Sequence, residues 1–421
     1  MQRTTFGLLL AKIESSYGTD SVPTGGLNPI AVTRAGVTFA PGFEHLTRMI
    51  LDGTLSKVSG ANAMPTTKLS FRVELRGNTT TGGTDTDITS GASAQAIEID
   101  ALLQACDLEA TYTPETTNGA RDGYVTYKPT VPTSEGASVT FYYYTGEQLH
   151  IITGGKGTVK GVLEAGKFGF LDFEFSGVYQ DCRDAALPAA GTYVGGLAGN
   201  AAGTGYVVGD TLTVAGGTAS TAATIRVLEV GTIGQILRQK ILQVGLYSVN
   251  PSTTGNAVTG GTGTGATYNL TMNTQTARVF LNTKPPLFQN SGSMVDSYSP
   301  VFTRLEFDLG NTLARRDDAN AARGVRGFMV VGRDSKLTID PETTPEATNP
   351  VWTDLEESKS RVITARVGIV VGNRFLGTFT AVSQAVAYGD RSGIRTSSID
   401  YSIERANLSD SAGAEFQLKF Y

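Results

Sequence analysis

Strict two-residue alternation is the feature that most limits what this chain can fold into. In FGFLDFEFSGVY (168–179), Leu171, Phe173 and Phe175 share one face of an extended chain, and Asp172, Glu174 and Ser176 share the other. KLSFRVELRG (68–77) repeats the habit with Leu69, Phe71, Val73 and Leu75, and AEFQLKFY (414–421) with Phe416, Leu418 and Phe420. A period of two builds strands with one dry and one wet face, as in antiparallel sheets. The 51 glycines, the abundant Thr and Ser, and a charged fraction of only 17% fit many short strands joined by turns. Helical spacing is confined to AIEIDALLQACDL (96–108) and NPVWTDLEESKS (349–360), the latter with Asn349 as cap and Pro350 at its first position. The fold class expected is therefore mainly β, in sandwich or barrel modules that each carry one helix.

The order of these segments suggests a duplication. AVTRAGVTF (31–39), KLSFRVELRG, the first helix, VTFYYYTG (139–146), GTVKGVLEAG (157–166) and FGFLDFEFSGVY form one set. TRLEF (303–307), FMVVGRDSKLTID (328–340), the second helix and a final hairpin of SIDYSIERA (398–406) with AEFQLKFY form another. Between them lies a stretch of different texture, poor in charge and rich in Gly and Thr. Its halves share an outline: GTGY or GLY, a polar loop, GGT, then an Ala-Thr strand. The division expected is an arm (1–30), a first module (31–192), an inserted β domain on the outer surface (193–276) and a second module (277–421). LEFDL (305–309) resembles LDFEF but opens the second set, whereas LDFEF closes the first.

Composition and motifs argue against several function classes. A net charge of −5 is unsuited to gripping nucleic acid. The apolar run FGLLLA near the start is too short for a membrane span or signal peptide, so a soluble protein made in a cytoplasm is expected. Cys106 and Cys182 lack metal-type spacing, and neither His45 nor His150 has a ligand neighbour. GGKGTV (154–159) and GGTGTGAT (260–267) lack the context of phosphate loops. Asp85 and Asp87 lack the rest of a calcium loop. No catalytic residue, cofactor or metal is expected. Asp172 and Glu174, at positions i and i+2, lie about 6–7 Å apart on a strand, a spacing that a glycosidase pair also uses. The aromatic residues point to the opposite face, and the pair reads better as the wet side of a sheet. RRDD (315–318) suits either a salt-bridged loop between subunits or a solvated loop.

Several stretches together resemble the major tail tube proteins of long, flexible-tailed bacteriophages. They are LLLAKIESSYGTDSVPTGGLNPI, EAGKFGFLDFEFSGVY, EFDLGNTLARRDDANAARGVRGF and VGNRF…YGDRSGIRTSSIDYSI. The resemblance covers nearly everything outside 193–276. It implies a structural virion protein, assembled in the host cytoplasm, whose rings stack into a tail tube. The bore houses the tape-measure protein and passes DNA without specific binding. Tail terminator and distal tail proteins would be the other partners, with no membrane insertion. Inner strands of neighbouring subunits would join into one closed barrel. Tubes of this family usually need six modules per ring, so two modules per chain imply trimeric rings with pseudo-sixfold symmetry, and otherwise hexameric rings. Asp172, Glu174, Glu306 and Asp308 become candidate lumen-lining acids. Arg315, Arg316, Asp317 and Asp318 become candidate inter-subunit charges. The arm would order only against a neighbour, and loop 78–91 is a second candidate for ring-to-ring contact. The rival readings are a capsid or decoration protein and a carbohydrate-binding adhesin acting through the insert.

Overall fold

A computed structural model describes residues 7–34, 37–51, 56–77, 97–113, 123–130, 135–280, 283–370, 372–410 and 413–421. Strands hold 58% of the residues and helices 3%, so the mainly-β expectation is borne out. The chain begins with β1 (Gly7–Ile13), β2 (Pro29–Ile30), β3 (Thr38–Arg48) and β4 (Val58–Glu74). After α1 (Asp100–Gln104) come β5 (Leu108–Thr113), β6 (Tyr124–Pro129), β7 (Val139–Thr145), β8 (Gln148–Glu164) and β9 (Phe170–Asp184). Then follow β10 (Gly191–Thr204), β11 (Thr211–Val214), β12 (Thr218–Thr221) and β13 (Thr224–Val230). They are joined by β14 (Ile236–Gln243), β15 (Leu246–Val249), β16 (Asn256–Thr259) and β17 (Thr264–Gln275). The last part holds β18 (Met294–Val295), β19 (Arg304–Asp308), β20 (Asn311–Asp317), β21 (Val325–Arg333) and β22 (Lys336–Ile339). It ends with α2 (Val351–Glu357), β23 (Ser360–Val367), β24 (Phe375–Arg391), β25 (Ile394–Ile403) and β26 (Phe416–Phe420).

Eight of these strands form one antiparallel row, in the order β3-β4-β9-β8-β19-β22-β25-β24. The row is a four-strand pattern used twice. In the first use Phe39 faces Leu69 and Leu69 faces Phe175. In the second Phe307 faces Leu337 and Leu337 faces Tyr401. KLSF (68–71) and KLTI (336–339) hold the same register positions, so β9 corresponds to β25 and β8 to the second half of β24. Each repeat also throws out a long hairpin, β3–β4 in the first and β20–β21 in the second.

Behind the row lies a second layer. Here β18, β23, the first half of β24, β26, β6 and β5 are neighbours, as are β2, β1, β7 and the first half of β8. The long strands β8 and β24 serve both layers. Each is irregular where it passes between them, at Thr153/Lys156 and Ser383/Ala385, as bulges that bend a strand are. Dry faces meet between the layers. Phe71, Phe141, Phe173 and Phe175 cluster in the first half, with Phe141 and Phe175 centroids 4.9 Å apart. Phe307, Phe375, Phe379 and Phe420 do so in the second. Each ring so buried contributes about 1.5–3 kcal/mol, which is what fixes the alternation.

Four expectations need correction. The final hairpin is not SIDYSIERA with AEFQLKFY: β25 pairs with β24 and β22, whereas β26 pairs with β24 and β6. Residues between β25 and β26 break what is one continuous strand, β9, in the first repeat. In the segment 31–39 Val32 makes an isolated bridge to Val73 and the strand begins at Thr38, running on through Pro41 and Gly42 into the hairpin. The first helix is a short one, since Asp107 at φ 57° turns the chain into β5. Finally, the arm needs no neighbour to order it. β1 pairs with β7 along its whole length, Leu9 and Ala11 entering the main core while Leu8 and Leu10 enter a second one. Glu14 then accepts hydrogen bonds from Gly18 N, Gly154 N, Ser138 Oγ and Thr140 Oγ1. Loop 78–91, with Asp85 and Asp87, lies outside the described residues.

That second core is shared by the insert and the sheet beneath it. Leu8, Leu10, Tyr142, Tyr144, Leu149 and Ile151 pack against Tyr193, Leu212, Ile225, Tyr247 and Leu270. Within the insert, β11 and β16 occupy matching places in the two halves and pair with each other. Ala223 N donates to Tyr247 Oη, and Ala266 N donates to Tyr206 Oη, so each half supplies the tyrosine that receives the other's amide.

Candidate assembly surface

The wet face of the eight-stranded row brings the four candidate acids toward one shallow groove. Asp172, Glu174 and Asp308 line it with Arg72, Lys160, Ser70 and Thr158. Cross-strand register explains the company they keep. Arg72 stands opposite Asp172 and clamps it with two bonds, Nε–Oδ1 2.6 Å and Nη2–Oδ2 2.7 Å. That hydrogen bond raises the guanidinium above its ordinary range. Glu306 lies between Lys160, at 3.2 Å, and Arg304. Asp308 stands opposite both Lys160 and Lys336 and accepts the Gly310 amide. Glu174 is exposed among them. The face is therefore a ladder of opposed charges rather than a band of acid.

One acid escaped the sequence reading. Asp400 faces Thr338 as Glu174 faces Ser70, and it accepts the Thr338 hydroxyl at 2.8 Å. It is thus the second repeat's counterpart of Glu174. The matching tetrapeptides KLSF and KLTI were the signal that could have found it. AEFQLKFY, the end of the chain, corresponds instead to the latter half of β9.

RRDD is a strand and turn of hairpin β20–β21, not a loop, and its charges make ion pairs inside the chain. Arg316 donates to Glu135 at 2.5 Å, and Arg315 pairs with Asp317 at 2.8 Å and with Glu44 at 3.8 Å. Asp318 lies 3.7 Å from Arg326. Glu135, held by Arg316 and then Arg326, is pulled below the usual carboxylate range.

The two ends of the row are both open. Among the described residues β3 pairs only with β4, and the second half of β24 only with β25. Inside the row, the junction between repeats is β8 with β19, where Phe307 faces Gly161 and Asp308 faces Lys160. The ring lies so close that a Cβ on Gly161 would fall 2.1 Å from it. Transferred to the open ends by the register of the repeats, this junction would set Phe39 against Tyr388 and Ala40 against Ala387. Among the described residues no helix is long and apolar enough to cross a membrane, and no cluster of His, Cys, Asp and Glu is arranged to hold a metal ion. Comparison with protein-family models and with curated proteins gives no match.

Proposed function

We propose that this chain is a structural virion protein that polymerises into stacked rings forming the tail tube of a phage. The observation that carries this reading is the eight-stranded row itself: a four-strand pattern repeated twice, joined by β8 and β19, with the same kind of edge left open at each end. An open edge of this length invites another strand. A second copy offering β3 to β24 would continue the row with the geometry already used inside the chain. Such a head-to-tail contact gives a ring when its rotation closes.

Three copies would bring twenty-four strands, which at a spacing of about 4.8 Å and a tilt of about 40° enclose a backbone cylinder about 50 Å across. Six copies would double it. The trimeric ring already admits a DNA duplex once the side chains of the wet face are allowed for. The wet face then lines the bore, where Arg72, Lys160 and Arg304 answer the acids beside them. A phosphate backbone would meet neither a basic track that holds it nor an unbroken acidic wall. In this reading the tape-measure protein occupies the bore before ejection, and terminator and distal tail proteins meet the ends of the tube. A decoration protein has no need of two complementary edges.

The test is a disulfide at the postulated seam. Ala40→Cys and Ala387→Cys in one chain should crosslink between copies, giving closed trimers by mass under denaturing, non-reducing conditions. Directly opposed residues of antiparallel strands have Cα atoms about 4.5–5.5 Å apart, within disulfide reach. Rings without that crosslink, or rings of six chains, would refute the seam or the count.

A further inference from the structure

Hairpin β20–β21 does not hang free. It lies across β8 and β9, pinned at three places. Tyr17 Oη donates to Phe328 O and accepts Phe328 N, each at 2.6 Å. Arg316 and Arg326 converge on Glu135 at 2.5 and 2.7 Å. Arg323 donates to Gln180 O. Beneath this cover, β8 is buried without a break from Ile151 to Gly157.

The other repeat has the same parts in the opposite condition. Hairpin β3–β4 is exposed at every residue from Ala40 to Leu51, with Met49 at 95% and Leu51 at 102% of full exposure. On β24, the counterpart of β8, every residue from Gln384 to Asp390 is exposed except half-buried Val386. The base of hairpin β3–β4 is held by Phe43 against Tyr179 and Glu44 against Arg315, but its outer part has no face beneath it, and one face has no hairpin above it. Leaving Leu46, Met49 and Leu51 in water forfeits burial that an adjacent copy could supply.

Resting on the ring proposed above, we infer that hairpin β3–β4 of one copy seats on the β24 and α2 face of the next, as β20–β21 seats on β8 and β9. Charge agrees with the placement. Arg48 follows Phe39 by the same interval as Arg316 follows Phe307, and Lys57 neighbours its strand partner Val58. Glu135 lies just ahead of β7, and Glu356 and Glu357 hold the corresponding place ahead of β23. Both are exposed, and among the described residues neither they nor Arg48 and Lys57 have an ion-pair partner. Beside them Trp352 Nε1 donates to Tyr388 Oη at 2.9 Å, an exposed aromatic pair on which the apolar hairpin can settle.

Charge reversal tests the seat in the full-length protein, with assembly followed by sedimentation and electron microscopy. E356R/E357R and R48E/K57E should each weaken ring formation about tenfold or more, since like charges are then set face to face. The fourfold variant should recover most of the loss. Unchanged melting of the dissociated chains shows that folding is not the cause. If wild type assembles and neither double variant is impaired, or the fourfold variant fails to recover, the seat is wrong while the ring stands. If wild type forms no rings and the A40C/A387C variant forms no bond between copies, both ideas fall together.

Discussion

Lys156 and Asp107 offer the sharpest test of how the first repeat is held together. The ammonium is fully buried, the carboxylate nearly so, and they meet at 2.5 Å. Asp107 also ends the α1 region and gives its carbonyl to Arg333, at the base of hairpin β20–β21. Asp107→Asn is the cleanest perturbation, because Asn tolerates the left-handed backbone at φ 57° while losing the charge. It strands a buried cation, which costs about 3–5 kcal/mol. Lys156→Met strands the anion and should cost a similar amount. The double variant removes both charges and keeps the volume, so it should lie within about 1–2 kcal/mol of wild type, since buried pairs are often replaceable. The coupling between the two sites is then about 4 kcal/mol or more, far above the error of a cycle. Urea unfolding followed by far-ultraviolet circular dichroism measures it. Trp352, the only tryptophan, provides a separate probe in the second repeat, and any non-coincidence would show that the repeats unfold in stages. A loss under about 1 kcal/mol in Asp107→Asn, or a double variant no better than the singles, would refute the account.

Three further outcomes are expected. Gly161→Ala should lower the melting temperature and loosen the β8–β19 junction, at a cost of about 1–3 kcal/mol, because the Phe307 ring must move; hydrogen exchange across β19 reads it. Deleting 191–275 should give aggregated protein rather than a trimmed soluble one, since it uncovers Leu8, Leu10, Tyr142 and Tyr144; light scattering decides, and replacing these four by polar residues should restore solubility. Glu135 is held below its ordinary range by Arg316 and Arg326, so its contribution is present above about pH 4.5 and fades as pH falls through the lowered value. Protection factors of the β20 and β21 amides, exchange rates corrected for their intrinsic pH dependence, should therefore fall on acidification, and Glu135→Gln should lower them at neutral pH.

Alternation was legible because it reports one local fact, which face of a strand is dry. It led directly to the mainly-β class and to the partition of Phe173 and Phe175 from Asp172 and Glu174. What alternation does not carry is the choice of partner strand. β25 and β26 each alternate, and both match the wet-and-dry habit of a hairpin, yet β24 takes both because it is long enough to cross from one layer to the other. Hairpin β3–β4 was hidden for the opposite reason. With no dry face in a single chain, FAPGFEHLTRM has no alternation to read. The arm misled through composition: its Gly, Pro and Ser suggested a tail, while the unbroken apolar run GLLLA marked a strand buried on both faces.

The charges of the wet face were illegible one strand at a time. LDFEF alone is an acidic strand, and only register places Arg72 against Asp172 and sets Lys160 beside Glu306. A surface made of such rungs behaves differently from the sum of its acids. Exposed pairs of this kind add little stability, so their value to the fold is small and a strand of Ser and Thr would serve as well. Opposed rungs leave most acids of the face answered by a neighbouring cation, with Glu174 exposed among them. The pairing belongs to the face as a whole, because Lys160 of the first repeat meets Glu306 of the second. The first repeat pairs Arg72 with Asp172, whereas the second pairs Arg304 with Glu306 and also sets Thr338 against Asp400 and Ser398 against Ala387. The two halves thus share the register of the four-strand pattern while sharing few of the side chains that meet the solvent.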